Sequence, residues 1–216
     1  MFDSTSLQGF ARAASVSFVA LFPAVNPFRS APIFHGSTKA YSREVQQALA
    51  RKVAFYGSAT LIVSLVAGVK ILDFLGVSLS AVQVAGGLVA AHSGWRLFHE
   101  EPQSAEVPVN SMETALGSAF YPLTLPLTVG PGSISIAIAV GAHLNSQHAF
   151  EMHTAAIAGI AALCALVWAV YSHAHQLADI LGPIGINILV RLSALALFAF
   201  GIQIVWTGIR SALHLA

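Results

Sequence analysis

The stretch Tyr121-Pro122-Leu123-Thr124-Leu125-Pro126-Leu127-Thr128-Val129-Gly130-Pro131-Gly132-Ser133 sets three prolines and two glycines inside an otherwise apolar segment. One interior proline removes a helical hydrogen bond and clashes with the preceding turn, so three of them break the helix. A second stretch of the same kind, Phe22-Pro23-Ala24-Val25-Asn26-Pro27-Phe28-Arg29-Ser30-Ala31-Pro32, also holds three prolines and lies about 104 residues earlier. The composition around these breaks names their solvent. Of 216 residues 56% are hydrophobic and 9% charged, and the mean hydropathy is +0.74. A soluble domain carries about 25% charged residues, so this chain lacks the polar surface to face water on all sides. Ten Lys and Arg against nine Asp and Glu leave no basic excess for phosphates, which excludes nucleic acid as a partner. The one cysteine, Cys164, sits in an apolar stretch and forms no intrachain disulfide.

A membrane-spanning helix takes about 20 apolar residues. Six stretches of that kind can be marked, at about 15–34, 53–75, 77–98, 114–142, 154–171 and 184–209. The first lacks the charged flank and small-residue cleavage site of a signal peptide and reads as a retained span. The expectation is an all-α, polytopic membrane protein, one integral domain over 1–216, in which spans 1 and 4 are each two half-helices. The gap at 39–52 is basic, the gap at 99–113 holds four glutamates and two prolines, and the gap around Asp73 and Gly76 is short enough to be a hairpin turn. Each break opens a block of three spans, about 15–98 and about 114–210, and Ser93-Gly94-Trp95-Arg96 is echoed by Thr207-Gly208-Ile209-Arg210. An odd number of crossings per block turns the second copy upside down, the inverted-repeat plan of many secondary transporters. Lys39, Arg43, Arg51, Lys52 and Arg96 fall on one side, and Arg12, Lys70 and Arg210 on the other. The positive-inside rule makes the first side cytoplasmic and puts both termini outside, in the periplasm of a bacterial inner membrane.

Irregular backbone in a bilayer is tolerated where it is buried in protein or lines a water-filled cavity. Asn26 can cap a helix that starts at Pro27. Gly130 can end one half-helix and Pro131 start the next, with Gly132 and Ser133 leaving amides accessible. Each helix start offers unpaired N–H groups and a partial positive charge, suited to a carboxylate. Each half-helix that ends there offers carbonyls, suited to an ammonium group or Na⁺. The pair of breaks is thus matched to a zwitterion, and the surrounding Leu, Val, Ile and Phe favour a small amino acid with an apolar side chain. The expected substrate-binding residues are Asn26, Pro27, Arg29, Ser30, Thr128, Gly130, Pro131, Gly132 and Ser133. The competing reading of the breaks is a pair of kinks re-satisfied by neighbouring helices.

Other polar residues at depth are few. His92 can carry a coupling proton, since histidine as a residue type changes charge near physiological pH, or can be a hydrogen-bonded buried histidine. Arg29 and Arg191 are the deep cations; each either snorkels to the interface or, for Arg29, faces the cavity and holds an anionic group. No Asp or Glu lies well inside a span, so no carboxylate relay and no catalytic residues are expected. Gly86, Ala90 and Gly94 in the third span fit close helix packing, and nothing in the alanine-rich fifth span suggests a site. His143, His148, His153, His173 and His175 lie at loops and read as solvated. His148 with Glu151 has a spacing that can share a metal, but no second pair completes a ligand set, so neither metal nor cofactor is expected.

The run Phe22-Pro23, Asn26-Pro27, Pro32-Ile33-Phe34 resembles the first signature of the MarC family of bacterial integral membrane proteins. The run from Pro122 to Leu127 with Gly130-Pro131-Gly132-Ser133-Ile134-Ser135 resembles the second, and Ala85-Gly86-Gly87 and Arg191 also look like family positions. The chain differs from the family pattern at Arg29, where a glycine is usual, and at Gln83, near a position usually held by arginine. The resemblance implies a six-span inner-membrane protein, and some relatives are described as cation-coupled transporters of small neutral amino acids. The function expected is therefore secondary transport of a small neutral amino acid or similar zwitterion with H⁺ or Na⁺. The alternative is a passive channel or exporter for other small solutes; a membrane-embedded enzyme and a purely structural protein stand behind both.

Overall fold

The computed structural model describes residues 4–99, 117–144 and 149–213, and all regular structure among them is helical. In chain order the helices are α1 (Ser4–Val25), α2 (Pro27–Thr38), α3 (Arg43–Phe74), α4 (Leu79–His99), α5 (Ala119–Thr128), α6 (Pro131–His143), α7 (Ala149–Ser172) and α8 (Ala174–Ala212). Among the described residues four segments are long and apolar enough to cross a membrane: Gln8–Val25, Arg43–Phe74, Phe150–Ser172 and Val190–Ala212. The bent pair α5 and α6, meeting at 71°, makes a fifth if it is one span. α4 has crossing length, but Gln83, His92 and Arg96 dilute its apolar residues and it falls outside that group.

Local chemistry sets the ends of these helices. α3 stops at Gly76, whose φ of +67° suits a residue without Cβ. Gly76 N donates to Asp73 O at 3.1 Å and Val77 N to Leu72 O at 2.9 Å, the paired bonds of a Schellman ending. Ser78 then opens α4, its Oγ accepting from Ala81 N at 3.2 Å. The expected hairpin at 73–76 is this turn. A second left-handed glycine, Gly182 (φ +60°), kinks α8 just ahead of the apolar run expected from 184.

α5 is wound unlike any other helix here. Its sequence is two copies of a four-residue unit, Tyr121-Pro122-Leu123-Thr124 and Leu125-Pro126-Leu127-Thr128, each with a cis X-Pro bond and an extended residue before the proline. Each threonine caps its own turn: Thr124 Oγ1 donates to Ala119 O at 2.6 Å and Thr128 Oγ1 to Leu123 O at 2.7 Å. Backbone bonds run across five residues, Leu123 N to Ser118 O and Val129 N to Thr124 O. The prolines therefore do not merely interrupt an α-helix; they replace it with wide turns whose carbonyls the threonine hydroxyls satisfy.

α4 packs on α8, and α3 on α7. α1 lies against α7 as α5 lies against α3; α6 contacts α3 and α4 as α2 contacts α7 and α8. Glycines permit the closest crossings. A Cβ on Gly87 would lie 2.8 Å from Gly201 O, one on Gly94 2.8 Å from Ala194 O, and one on Gly208 2.9 Å from Ser80 O. Positions on α8 fall as those on α4 rise, so the two helices are antiparallel. The core between them and α3, α6 and α7 is built from Leu21, Val25, Phe34, Leu49, Val53, Leu61, Leu65, Leu123, Ile160, Leu163 and Val167, all buried. The outside is apolar too. Val19, Phe55, Leu88, Trp168 and Ile184 are exposed, as expected where the surrounding medium is hydrocarbon rather than water.

Candidate functional site

Both helix breaks occur where the prolines and glycines put them. α1 ends at Val25 and α2 begins at Pro27; Asn26 between them has φ 30° and ψ 82°, a left-handed conformation that asparagine tolerates better than most residues. Its Oδ1 accepts from Arg29 N at 3.2 Å, and Ser30 Oγ donates back to Asn26 O at 3.1 Å. Pro27 has no N–H, so the last carbonyls of α1 gain nothing from it. At the second break Gly130 is the N-cap of α6 with no side-chain cap, and Pro131 occupies the first helical turn. The N–H groups of Gly132 and Ser133 belong to that first turn, where no intrahelical acceptor exists. Ser133 Oγ donates to Gly130 O at 2.8 Å, and Ser135 Oγ to Pro131 O at 3.0 Å.

A half-open cavity of about 120 Å³ joins the two breaks. It is lined by Ala24 and Arg29 from the first break, by Pro126, Gly130, Pro131, Gly132 and Ser133 from the second, by Val89, Ala90 and Ser93 of α4, and by Leu197 of α8. Of the residues expected at a site, Arg29, Gly130, Pro131, Gly132 and Ser133 line this space. Asn26, Pro27, Ser30 and Thr128 are buried and do not line it. Gly132 meets Ala90: a Cβ there would come within 2.9 Å of the Ala90 Cβ. Gly57, midway along α3, faces Val129 at 3.4 Å by the same measure, so the second break lies level with the middle of the longest unbroken helix.

Arg29 shows which of its two expected positions it takes. The residue lines the cavity, and its Nε is closed off from solvent with no hydrogen-bond partner. Arg191, by contrast, is exposed and its Nε donates to Asn187 Oδ1 at 3.3 Å. His92 is exposed on the outer side of α4 and does not line the cavity. His148, proposed to pair with Glu151, lies outside the described residues, as does most of the acidic gap at 99–113. His175 contacts Arg43, and His173 Nδ1 lies 2.9 Å from Ala169 O.

One functional candidate was invisible in the sequence. Tyr171, near the end of α7, is buried; its ring stacks on Phe34 of α2 with centroids 4.4 Å apart, and its hydroxyl lies 2.8 Å from Thr128 Oγ1. Thr128 has a single hydroxyl hydrogen, already given to Leu123 O, so Tyr171 is the donor. Ser30 also reaches the tyrosine hydroxyl. Tyr171 thereby ties the first break to the second, and the fifth apolar stretch, expected to contribute only packing, supplies the tie. The available signal was an odd one: a lone tyrosine at the end of an alanine-rich span.

A multi-pass, all-helical chain with an apolar exterior and two helices broken around an internal cavity is a polytopic integral membrane protein. Its sequence carries the assignment further, since residues 12–213 match the MarC family integral membrane protein profile. The chain belongs to that family. It is 30% identical over 200 residues to a UPF0056 membrane protein of Aquifex aeolicus, covering 91% of this chain and 92% of the relative. It is likewise 30% identical over 199 residues to the UPF0056 membrane protein YhcE of Escherichia coli K12, covering 89% and 90%. With the UPF0056 inner membrane protein MarC of Escherichia coli O1:K1 it shares 24% over 208 residues, 92% and 94% of the two chains. No solved structure matches the chain.

Proposed function

We propose that the protein is a secondary transporter that binds a small carboxylate-bearing solute, of the size of alanine, glycine or serine, in the cavity between its two helix breaks and moves it together with a cation. The observation that carries this reading is the convergence of both breaks on one half-open cavity, where the uncapped start of α6 and the side chain of Arg29 meet. Helix starts bind anions through unpaired amides and the helix dipole, and broken helices at a repeat interface are where such transporters hold their cargo. No acid among the described residues lines the cavity, and we read the protein as a carrier rather than an enzyme.

The same proposal includes six crossings in two inverted blocks. Its support is the packing scheme: exchanging α1 with α5, α2 with α6, α3 with α7 and α4 with α8 converts the main helix contacts into one another. Gly76 and Gly182, both left-handed, precede the apolar run of the last helix in each block. We further place the chain in a bacterial inner membrane, as for the inner membrane protein MarC of Escherichia coli, with both termini periplasmic on the strength of the Lys and Arg distribution.

The test is uptake into proteoliposomes of purified protein, with alanine, glycine, serine and short monocarboxylates presented under Na⁺ and pH gradients imposed separately. Accumulation that follows one gradient supports a coupled carrier. Flux indifferent to both gradients replaces it with a passive channel, and no flux with no binding across the panel removes the transport reading.

A further inference from the structure

A cationic residue lines the cavity, and none of the other described residues in its wall carries a charge. Arg29 lines it, and the Nε of its guanidinium is buried without a hydrogen-bond partner, although a buried charged donor is costly to leave unpaired. α6 begins at the same wall with Gly130 as a cap that offers no side chain, so the first-turn amides of Gly132 and Ser133, which have no intrahelical acceptor, share that wall with Arg29. The hydroxyl of Ser133 is committed to Gly130 O. Donors are therefore gathered around a space that no carboxylate among the described residues lines.

We propose that the cavity takes a small monocarboxylate as its anion, in preference to the zwitterionic amino acid of the same size. The proposal rests on the reading of this cavity as the transport site and names the charge class of its cargo. An anion with one negative charge cancels the guanidinium and accepts from Nε and the α6 amides at once, since a carboxylate has acceptor sites for several donors. A zwitterion leaves the positive charge uncompensated. In a space of about 120 Å³ it also brings its ammonium close to Arg29, where like charges in a poorly solvated site repel. The rest of the lining, Val89, Ala90 and Leu197, suits a short alkyl group. Propionate matches both halves of the cavity; alanine differs from it by one ammonium group.

The experiment is isothermal titration of the detergent-purified full chain with propionate, propionamide and alanine, repeated on Arg29→Gln and Arg29→Lys. The expected result is propionate binding at least about tenfold tighter than either neutral ligand, a difference a titration resolves readily. Arg29→Gln should lose that advantage and Arg29→Lys retain most of it. Alanine binding as tightly as propionate to the unaltered protein overturns the anion preference and leaves the cavity as an amino-acid site. Binding of neither ligand overturns the site reading itself. Because the first comparison uses the unaltered chain, it decides the question even if Arg29→Gln fails to fold. Unchanged propionate affinity in a folded Arg29→Gln protein also overturns the proposal.

Discussion

Gly201→Ala should loosen the protein, although alanine is the better helix former. On α8 a Cβ at position 201 would stand 2.7 Å from Ala91 Cα and 2.8 Å from Gly87 O, and closer still to Ala91 N. Carbon atoms pack best at about 3.5–4.0 Å, so α4 and α8 would have to part by roughly 1 Å. All the blocking atoms belong to the α4 backbone, and no rotamer change relieves them. Parting at Gly201 also opens the seam at Gly94 and Gly208, where the same two helices touch. Overpacking of this kind costs about 1–3 kcal/mol, offset by about 1 kcal/mol of helix propensity. Because the blocking atoms are rigid backbone, the cost lies at the upper end of that range, and the net loss is about 2 kcal/mol, or a fall of about 4–8 °C in Tm for a chain of this size. Gly9→Ala on α1 is the matched control. Its Cβ would meet only the flexible end of Met152 at 3.5 Å, so it should raise Tm slightly. Thermal unfolding of both variants in the same detergent compares the two signs directly. If Gly201→Ala unfolds at or above the temperature of the unaltered protein, the close α4–α8 seam described here is wrong.

The two residues tying the breaks should differ sharply in cost. Tyr171→Phe removes one donor and leaves Thr128 still bonded to Leu123 O, a loss of about 1 kcal/mol; Thr128→Val removes both the acceptor of the Tyr171 hydroxyl and the hydroxyl donor to Leu123 O, and denaturant titrations should show a larger loss, of about 1–3 kcal/mol for the two bonds. At the first break, Asn26→Ala forfeits both the cap on Arg29 N and a residue tolerant of left-handed backbone, costing about 1–2 kcal/mol. Asn26→Gly keeps the backbone freedom and should cost less by the same titration. In proteoliposome uptake, Gly132→Ala should impair flux strongly because its Cβ would come within 2.9 Å of Ala90, while Gly130→Ala, meeting only Pro126 O at 3.6 Å, should retain most of it. Equal flux from the two would separate the α4–α6 contact from transport.

Some of this site was readable from residue types because it depends on local backbone rules. Proline breaks a helix, asparagine caps the start of one and glycine ends one, which located the breaks at Asn26 and Gly130; the shortness of the gap between two apolar runs located the turn at Gly76. Gly130 and Gly132 look interchangeable in the sequence, however, and only one of them touches another helix. His92 has the right chemistry for a buried proton carrier but faces outward, since its position around α4 depends on which side of that helix meets α6 and α8. Tyr171 has no neighbour in sequence that hints at Thr128, which lies 43 residues away.

By itself, then, the sequence determined the solvent, the helical class and the places where helices must break, because composition and the covalent limits of proline and glycine act on each segment in isolation. Tertiary structure decided which broken ends share a cavity, that Arg29 lines it with its Nε unpaired, and that Tyr171 fastens its two sides. Those outcomes follow from how eight helices pack, and packing is a relation between residues far apart in the chain that no single segment encodes.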